Sequence, residues 1–514
     1  MKGNSIKTVG SVFFIIMFAK ILGQVREMLL AASYGTSYQA NAYLTASQIP
    51  LNFFDMILGL AIVSAFVPVF NEFYQKGGKN SANSFAGNFL GVILLISVLL
   101  SLFGVIFSAF IVSKIATGLD AKTALLASKL LKILFPSVIF TSVAYAYAGI
   151  LQSYGEFKIP AAMSVISNAV TIIYFIFFND KFGIFGLSVS MLIGWILQLV
   201  VLVPPLVKLK FSFRISFNFF SEGMKKVYLL ACPILISSWV QPINVMFNLY
   251  LASFLNNGDA VSAINYANKL YLIIASVFTV SVTNITLPSL SREFSSGNGK
   301  EASDIITGSV KAVVLFLIPV LVLFVIYRTD IIQIIYQRGE FDENSTFLTS
   351  TALGFYSIGM LGYGLQEVMN KAFYAMQKPK VTAVVAVCTV VINIVLSFTL
   401  YKILGIGGLA LSSAIASTFG GFVLIVIMSR KLENIDLGGI LITFFKSLGA
   451  ALIACAVSFV VIKIIPLGNK NVLIHLAKLC LSGGIAVVLY VTLLFVLRVK
   501  ELSYITNMLK KSGD

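Results

Sequence analysis

Charge is scarce in this 514-residue chain: 11% of its residues are charged, 58% are hydrophobic and mean hydropathy is +0.96. Soluble domains carry about 25% charge, so a soluble globule is excluded. Histidine and cysteine are scarcer still. The single His475 stands alone, and Cys232, Cys388, Cys455 and Cys480 sit in apolar runs without CxxC spacing, so neither a disulfide framework nor a zinc site is supported and soluble-type metal or histidine-based catalysis is disfavoured. No cleavable leader is visible either. The first apolar run outlasts a signal core and has no small-residue cleavage site, so the first helix is expected to stay.

What is present is apolar length. Spans able to cross roughly 30 Å of hydrocarbon are expected near 9–32, 41–73, 85–112, 124–151, 160–178, 182–206, 225–254, 260–290, 303–327, 346–376, 380–401, 406–429, 440–464 and 473–497, fourteen in all. The chain is therefore expected to be an all-α polytopic membrane protein with both ends on one side. Its formal net charge of +17 resides in short loops, where it reads as a topology signal rather than a nucleic-acid footprint. Loops on the side of the N-terminus carry twenty Lys and Arg and the opposite loops eight, which places both termini in the cytoplasm.

The stretch from Phe18 to Pro68 breaks the apolar rule. Lys20, Arg26 and Glu27 lie inside VFFIIMFAKILGQVREMLLAAS, and Asp55 lies inside LNFFDMILGLAIVSAFVPVF. A charge near a bilayer centre costs about 2.5–3.5 kcal/mol even on the lenient scale, so such residues face a bundle interior or a water-filled cavity. A planar Arg fork suits phosphate because it meets two oxygens at once. Two plainer readings stay open at this point: snorkelling of Lys20 and Arg26 to the interfaces, or a structural pair between Arg26 and an acid, Glu27 or Asp55.

The chain also repeats itself. SAFVPVFNEFYQKGGKNSA (64–82) is echoed by TNITLPSLSREFSSGNGKEA (283–302), YAGILQSYGEFKIP by NKAFYAMQKPK, and FGIFGLSVS by LGIGGLALS. The offsets of Pro68/Pro288, Pro160/Pro379 and Gly186/Gly408 are 220, 219 and 222 residues, spanning six helices, so two halves of equal orientation are expected about an axis along the membrane normal. The expected organisation is 1–206 as a first six-helix lobe, 207–226 as a cytoplasmic linker, 227–431 as a second lobe and 432–514 as two further helices with a tail. In the linker, VKLKFSFRISFNFFSEGMKK alternates basic residues with Phe. It reads as an amphipathic piece on the inner leaflet or as a plain connection.

Several motifs in order, KILGQVREMLLAASYG (20–35), AFVPVFNEF, INYANKLY (264–271) with ITLPSLSREF, YQRGEFDE (336–343) and AFYAMQKPKVT (372–382), resemble the MurJ (MviN) lipid II flippases of the MOP exporter superfamily. The resemblance covers essentially the whole chain. It implies alternating-access movement of the undecaprenyl-diphosphate-linked peptidoglycan precursor from inner to outer leaflet of the bacterial plasma membrane, through a cationic cavity, with a tail groove at the last two helices.

Carried over residue by residue, the resemblance makes Arg26 a cavity arginine followed by the acid Glu27, with Lys20 and Lys269 where arginines are usual. Asn41 stands for an aspartate, Gly59 for a glutamate, and Asp55 lies beside the place of a missing arginine. A sodium site of some members maps to Asn248, Asn393, Ser397 and Ser413, which lack its carboxylates. The implied partners are a lipid-linked diphosphate oligosaccharide and membrane lipids, with no cofactor, no resident metal, no nucleic acid and a monomeric chain. Alternatives are an exporter of another polyprenyl-linked oligosaccharide or a multidrug exporter. An enzyme acting on polyprenyl phosphates is disfavoured by the lack of a DxxD-type carboxylate cluster. Glu367 and Lys371, at i and i+4, suggest an ion pair or a gate, while Lys129, Lys132, Lys311 and Lys446 are expected to snorkel.

Overall fold

The computed structural model describes residues 2–52, 59, 62–211, 214–464 and 472–499. The chain packs as two compact units, Met1–Ser262 and Ala263–Asp514. Among the described residues there are nineteen α-helices and no strand. The chain is an all-α polytopic membrane protein.

The first unit contains α1 (Lys2–Tyr34), α2 (Tyr38–Pro50), a π-turn (Ile62–Phe66), α3 (Val67–Ile106), α4 (Ser108–Ile115), α5 (Ala121–Leu134), α6 (Ser137–Ser153), α7 (Lys158–Phe177), α8 (Asn179–Lys208), α9 (Glu222–Ser238) and α10 (Val240–Ser253). The chain passes into the second unit along α11 (Ala260–Ser295). There follow α12 (Gly299–Ile326), α13 (Arg328–Tyr336), α14 (Glu343–Ile358), α15 (Met360–Ala375), α16 (Pro379–Leu404), α17 (Ile406–Ser429), α18 (Leu437–Ile464) and α19 (Val472–Val496).

Among the described residues ten helices are long and apolar enough to cross a membrane. Fewer appear than the fourteen expected spans partly because some spans are broken. Pro136, which has no N–H to give the ladder, separates α5 from α6, although Ala121–Ser153 still makes one of the ten spans. Gly359 separates α14 from α15, and a Cβ there would stand 2.7 Å from Ala414 Cα, so the break lets α17 come close.

The sequence echo between FGIFGLSVS and LGIGGLALS has a structural counterpart in each unit. Gly183 (φ 55°, ψ −150°) kinks α8 within its first turns, just after the chain leaves α7, and Gly405 (φ 56°, ψ −129°) turns it from α16 into α17. That backbone region is open only to glycine. In both hairpins the two helices pack along their length.

The first unit's core gathers around the π-turn, where Phe66 stacks at 4.5 Å from Phe89 and 5.5 Å from Phe85. In the second unit α18 and α19 are keyed to α12 by buried hydroxyls. Tyr490 donates to Leu315 O at 2.8 Å and meets Ser447 Oγ at 2.7 Å, while Ser458 bridges Tyr327, at 3.2 Å, and Ser482. In lipid such polar links substitute for the hydrophobic drive that water would supply, at about 0.6 kcal/mol each. Lys311 does not merely snorkel as expected: it pairs with Asp436 at 3.1 Å, just before α18 begins. Lys446 donates to Leu497 O at 2.8 Å, just past the end of α19.

Candidate functional site

Arg26 and Glu27 lie in the last third of α1. One face of this helix packs on α7, where Asn168 Nδ2 donates to Ala19 O at 3.2 Å and approaches the bare Gly23. The helix ends where Gly35 takes φ 55° and its N–H bonds Ala31 O at 2.7 Å. Glu27 is turned inward, with its side chain 4% accessible, whereas the Arg26 side chain is 24% accessible. Nη2 of Arg26 donates to Glu27 Oε1 at 2.7 Å. That contact occupies one of the guanidinium's five N–H donors. A buried acid thus holds an accessible fork in place.

Tyr43 of α2 lies within electrostatic range of both members of the pair, and its hydroxyl donates to Met191 Sδ at 2.9 Å. Lys20 is half-buried on the same helix as Arg26. Six residues separate the two, which at 100° per residue leaves them about 120° apart around the axis, so they do not share a helix face. Asp55 and Phe54 lie outside the described residues. At Gly59 the ring of Tyr145 occupies the space a side chain would need, 2.9 Å from a built Cβ, which is a physical reason for glycine where the resemblance has glutamate.

Asn41 is buried and fully engaged. Its Nδ2 donates to Thr36 O at 2.8 Å and Asp259 Oδ1 at 3.2 Å, and its Oδ1 accepts the Ser262 N–H at 3.0 Å. The last contact satisfies one of the orphan amides opening α11, so the side chain caps that helix across more than two hundred residues of sequence.

In the second unit, Lys269 is half-buried on α11. Asn393 and Ser397 of α16 and Ser413 of α17 come together: Asn393 Oδ1 accepts from Ser397 Oγ at 3.4 Å and Ser413 Oγ at 3.2 Å. Tyr356 is in hydrogen-bond reach of Ser413 and of Asn268. Asn248, the fourth residue of the proposed sodium set, belongs to the first unit. Both hydroxyls lie within hydrogen-bond reach of the oxygen a hard cation would use, Ser413 Oγ also reaching Leu409 O at 3.2 Å, and none of the four residues is a carboxylate, so this set fits sodium poorly. Glu367 is half-buried within electrostatic range of Tyr363 and Lys371, and Lys371 Nζ lies 6.0 Å from the Tyr374 ring centroid.

Outside the spans, two turns are fixed by aspartate caps. Asp120 accepts from Lys122 N at 3.0 Å and Thr123 N at 3.3 Å, and these bonds, with the Thr123 hydroxyl, hold its carboxyl below the usual range. Asp342 accepts from Ser345 N at 2.7 Å with the same effect.

Comparison with known proteins gives a consistent answer. The family model described as "Lipid II flippase MurJ" matches residues 30–502. The "Lipid II flippase MurJ" of Thermosipho africanus is 31% identical over 424 residues, 82% of this chain and 85% of that protein. A solved structure, "Lipid II flippase MurJ, inward closed conformation", superposes with a TM-score of 0.81 at 25% identity, covering 95% of this chain and 99% of the other. An inward-facing multidrug MATE transporter of the MOP superfamily shares the fold, with a TM-score of 0.72 at 13% identity over 81% of this chain and 95% of its own.

Proposed function

The chain belongs to the lipid II flippase MurJ family, and from that premise we propose how its residues move lipid II, the undecaprenyl-diphosphate-linked peptidoglycan precursor, from inner to outer leaflet. The observation that carries the reading is the Arg26–Glu27 pair: a buried acid orients a guanidinium that stays accessible within an apolar helix. A diphosphate cannot cross hydrocarbon unaided, and a site poor in water strengthens each phosphate contact. Arg26 takes the diphosphate with two donors at once, while Lys20 and Lys269 add single contacts that are easier to break. Release on the far side needs that weakness. Asp55 and Asn41 act on the electrostatics and the framing of the same path, Asn41 through its cap on α11.

The accompanying architecture is fourteen spans with both termini cytoplasmic, two six-span lobes over 1–206 and 227–431 related by a two-fold axis along the membrane normal, and the linker 207–226. Residues 432–514 supply a groove for the lipid tail. The chain works as a monomeric transporter without catalytic residues or a cofactor. A cation at Asn248, Asn393, Ser397 and Ser413 is a subordinate part of the reading, because the set has no carboxylate and would rest on amide and hydroxyl oxygens alone. Transport of lipid II by the purified chain in vesicles, lost in a stably folded Arg26→Ala/Glu27→Gln variant, tests the reading. Movement of a different polyprenyl-linked oligosaccharide, or of cationic drugs, would favour the superfamily's other activities.

A further inference from the structure

The connection from α8 to α9 is a strap. Its residues 214–221 lie against α3, held there by the Ser216 N–H on Gly87 O at 3.4 Å and by one side chain of α3. Asn88 Oδ1 accepts Asn218 N–H at 2.7 Å and Ser216 Oγ at 2.9 Å, while its Nδ2 donates to Asn218 O at 2.8 Å and Ser221 Oγ at 2.9 Å. Gly87 and Gly91, one turn apart on α3, make the approach feasible. A Cβ on either would stand 2.2 Å from Arg214 O or 2.1 Å from Ser216 O.

Asn88 holds Asn218 by its backbone, and Ile215 brushes α3 with its Cγ2 near Gly91, yet Ile215 and Phe217 remain 52% and 55% exposed; Phe220 follows at 83%. Lys208, Lys210 and Arg214 are exposed beside them. Packing within the first unit gives no use for three large apolar side chains held outward among three cations.

We propose that this strap is a membrane-surface anchor whose occupant is anionic phospholipid: Ile215, Phe217 and Phe220 enter the acyl boundary, and Lys208, Lys210 and Arg214 meet the phosphates. Charge complementarity selects the anionic headgroup, each basic residue near such a surface raising affinity about fivefold at physiological salt. The anchor does not depend on what the protein transports.

The test uses the full chain carrying Phe220→Trp, a change at an exposed position, reconstituted in vesicles of phosphatidylcholine with or without phosphatidylglycerol, one lipid at a time being brominated on its acyl chain. After subtraction of the parent protein's Trp195 and Trp239 signal, emission from the introduced indole is expected to be quenched, and more strongly by brominated phosphatidylglycerol. Adding Lys208→Gln, Lys210→Gln and Arg214→Gln should abolish that preference. Deuterium exchange of the strap in the parent protein, slower in vesicles containing phosphatidylglycerol, gives the same answer without the Trp change. Absence of quenching, or equal quenching by both lipids with equal exchange, overturns the proposal.

Discussion

Removing Arg26 alone would mislead. Glu27 has 4% of its side chain accessible, and breaking a buried pair from one side costs about 3–5 kcal/mol, a large part of a typical stability of about 5–15 kcal/mol. Arg26→Ala could therefore lose transport by losing protein. The decisive variant is Arg26→Ala with Glu27→Gln, which removes both charges and leaves no uncompensated carboxylate. If Arg26 holds the diphosphate, the double variant is expected at parental abundance and thermal stability but without effective transport. A hydrogen bond to a charged group contributes about 1.5–3 kcal/mol, so loss of one such contact raises the lipid II concentration for half-maximal transport roughly tenfold to a hundredfold. Arg26→Lys should retain part of the activity, since charge stays and the fork is lost. The assay is movement of headgroup-labelled lipid II in vesicles, read by an impermeant quencher. A double variant that is stable and transports at the parental rate would refute the reasoning and make Arg26 the structural partner of Glu27 only.

Further outcomes are expected. Lys269→Ala should fall between the parent and the Arg26 double variant in the same assay, whereas loss as complete as that variant's would make Lys269 an equal site. Tyr490→Phe removes two hydrogen bonds to Ser447 and Leu315 O, and should lower stability by about 1 kcal/mol, seen as a reduced melting temperature. The Gly439 N–H and Lys311 hold the Asp436 carboxyl below its ordinary value, so its stabilising pair is present above the usual aspartate range and lost as pH falls through the depressed value. Lys311→Met should accordingly reduce the melting temperature near neutral pH and make little difference in strong acid. Replacing sodium with potassium should leave transport unchanged, because Asn393, Ser397 and Ser413 close on one another; a strict sodium requirement would place the ion among them.

Much of this was legible from the sequence because membrane physics writes it in long runs. Apolar length marked the helices, and an arginine followed by an acid inside such a run marked the candidate site. The glycine breaks at Gly183 and Gly405 lie within the sequence echo, which marked a repeat without marking them. Long-range partners were not legible. Nothing local in Asn41 points to Ser262, and nothing in Lys311 points to Asp436; both pairings exist only once distant helices are packed. Gly59 looked like a missing glutamate and is also the space filled by Tyr145. The Lys20–Arg26 spacing seemed adjacent in text, yet six residues carry a helix well past the same face. The strap on Asn88 escaped because its alternation of Phe and basic residues fits an amphipathic helix and an extended chain about equally well.

The central claim, that this chain moves lipid II outward using Arg26, is tested most directly in a bacterium whose own lipid II flippase is depleted. Expression of the chain is expected to restore growth and the appearance of lipid II on the outer leaflet, and expression of the stable Arg26→Ala/Glu27→Gln variant to restore neither. Failure of the parental chain to restore either, despite normal abundance in the membrane, would contradict the claim.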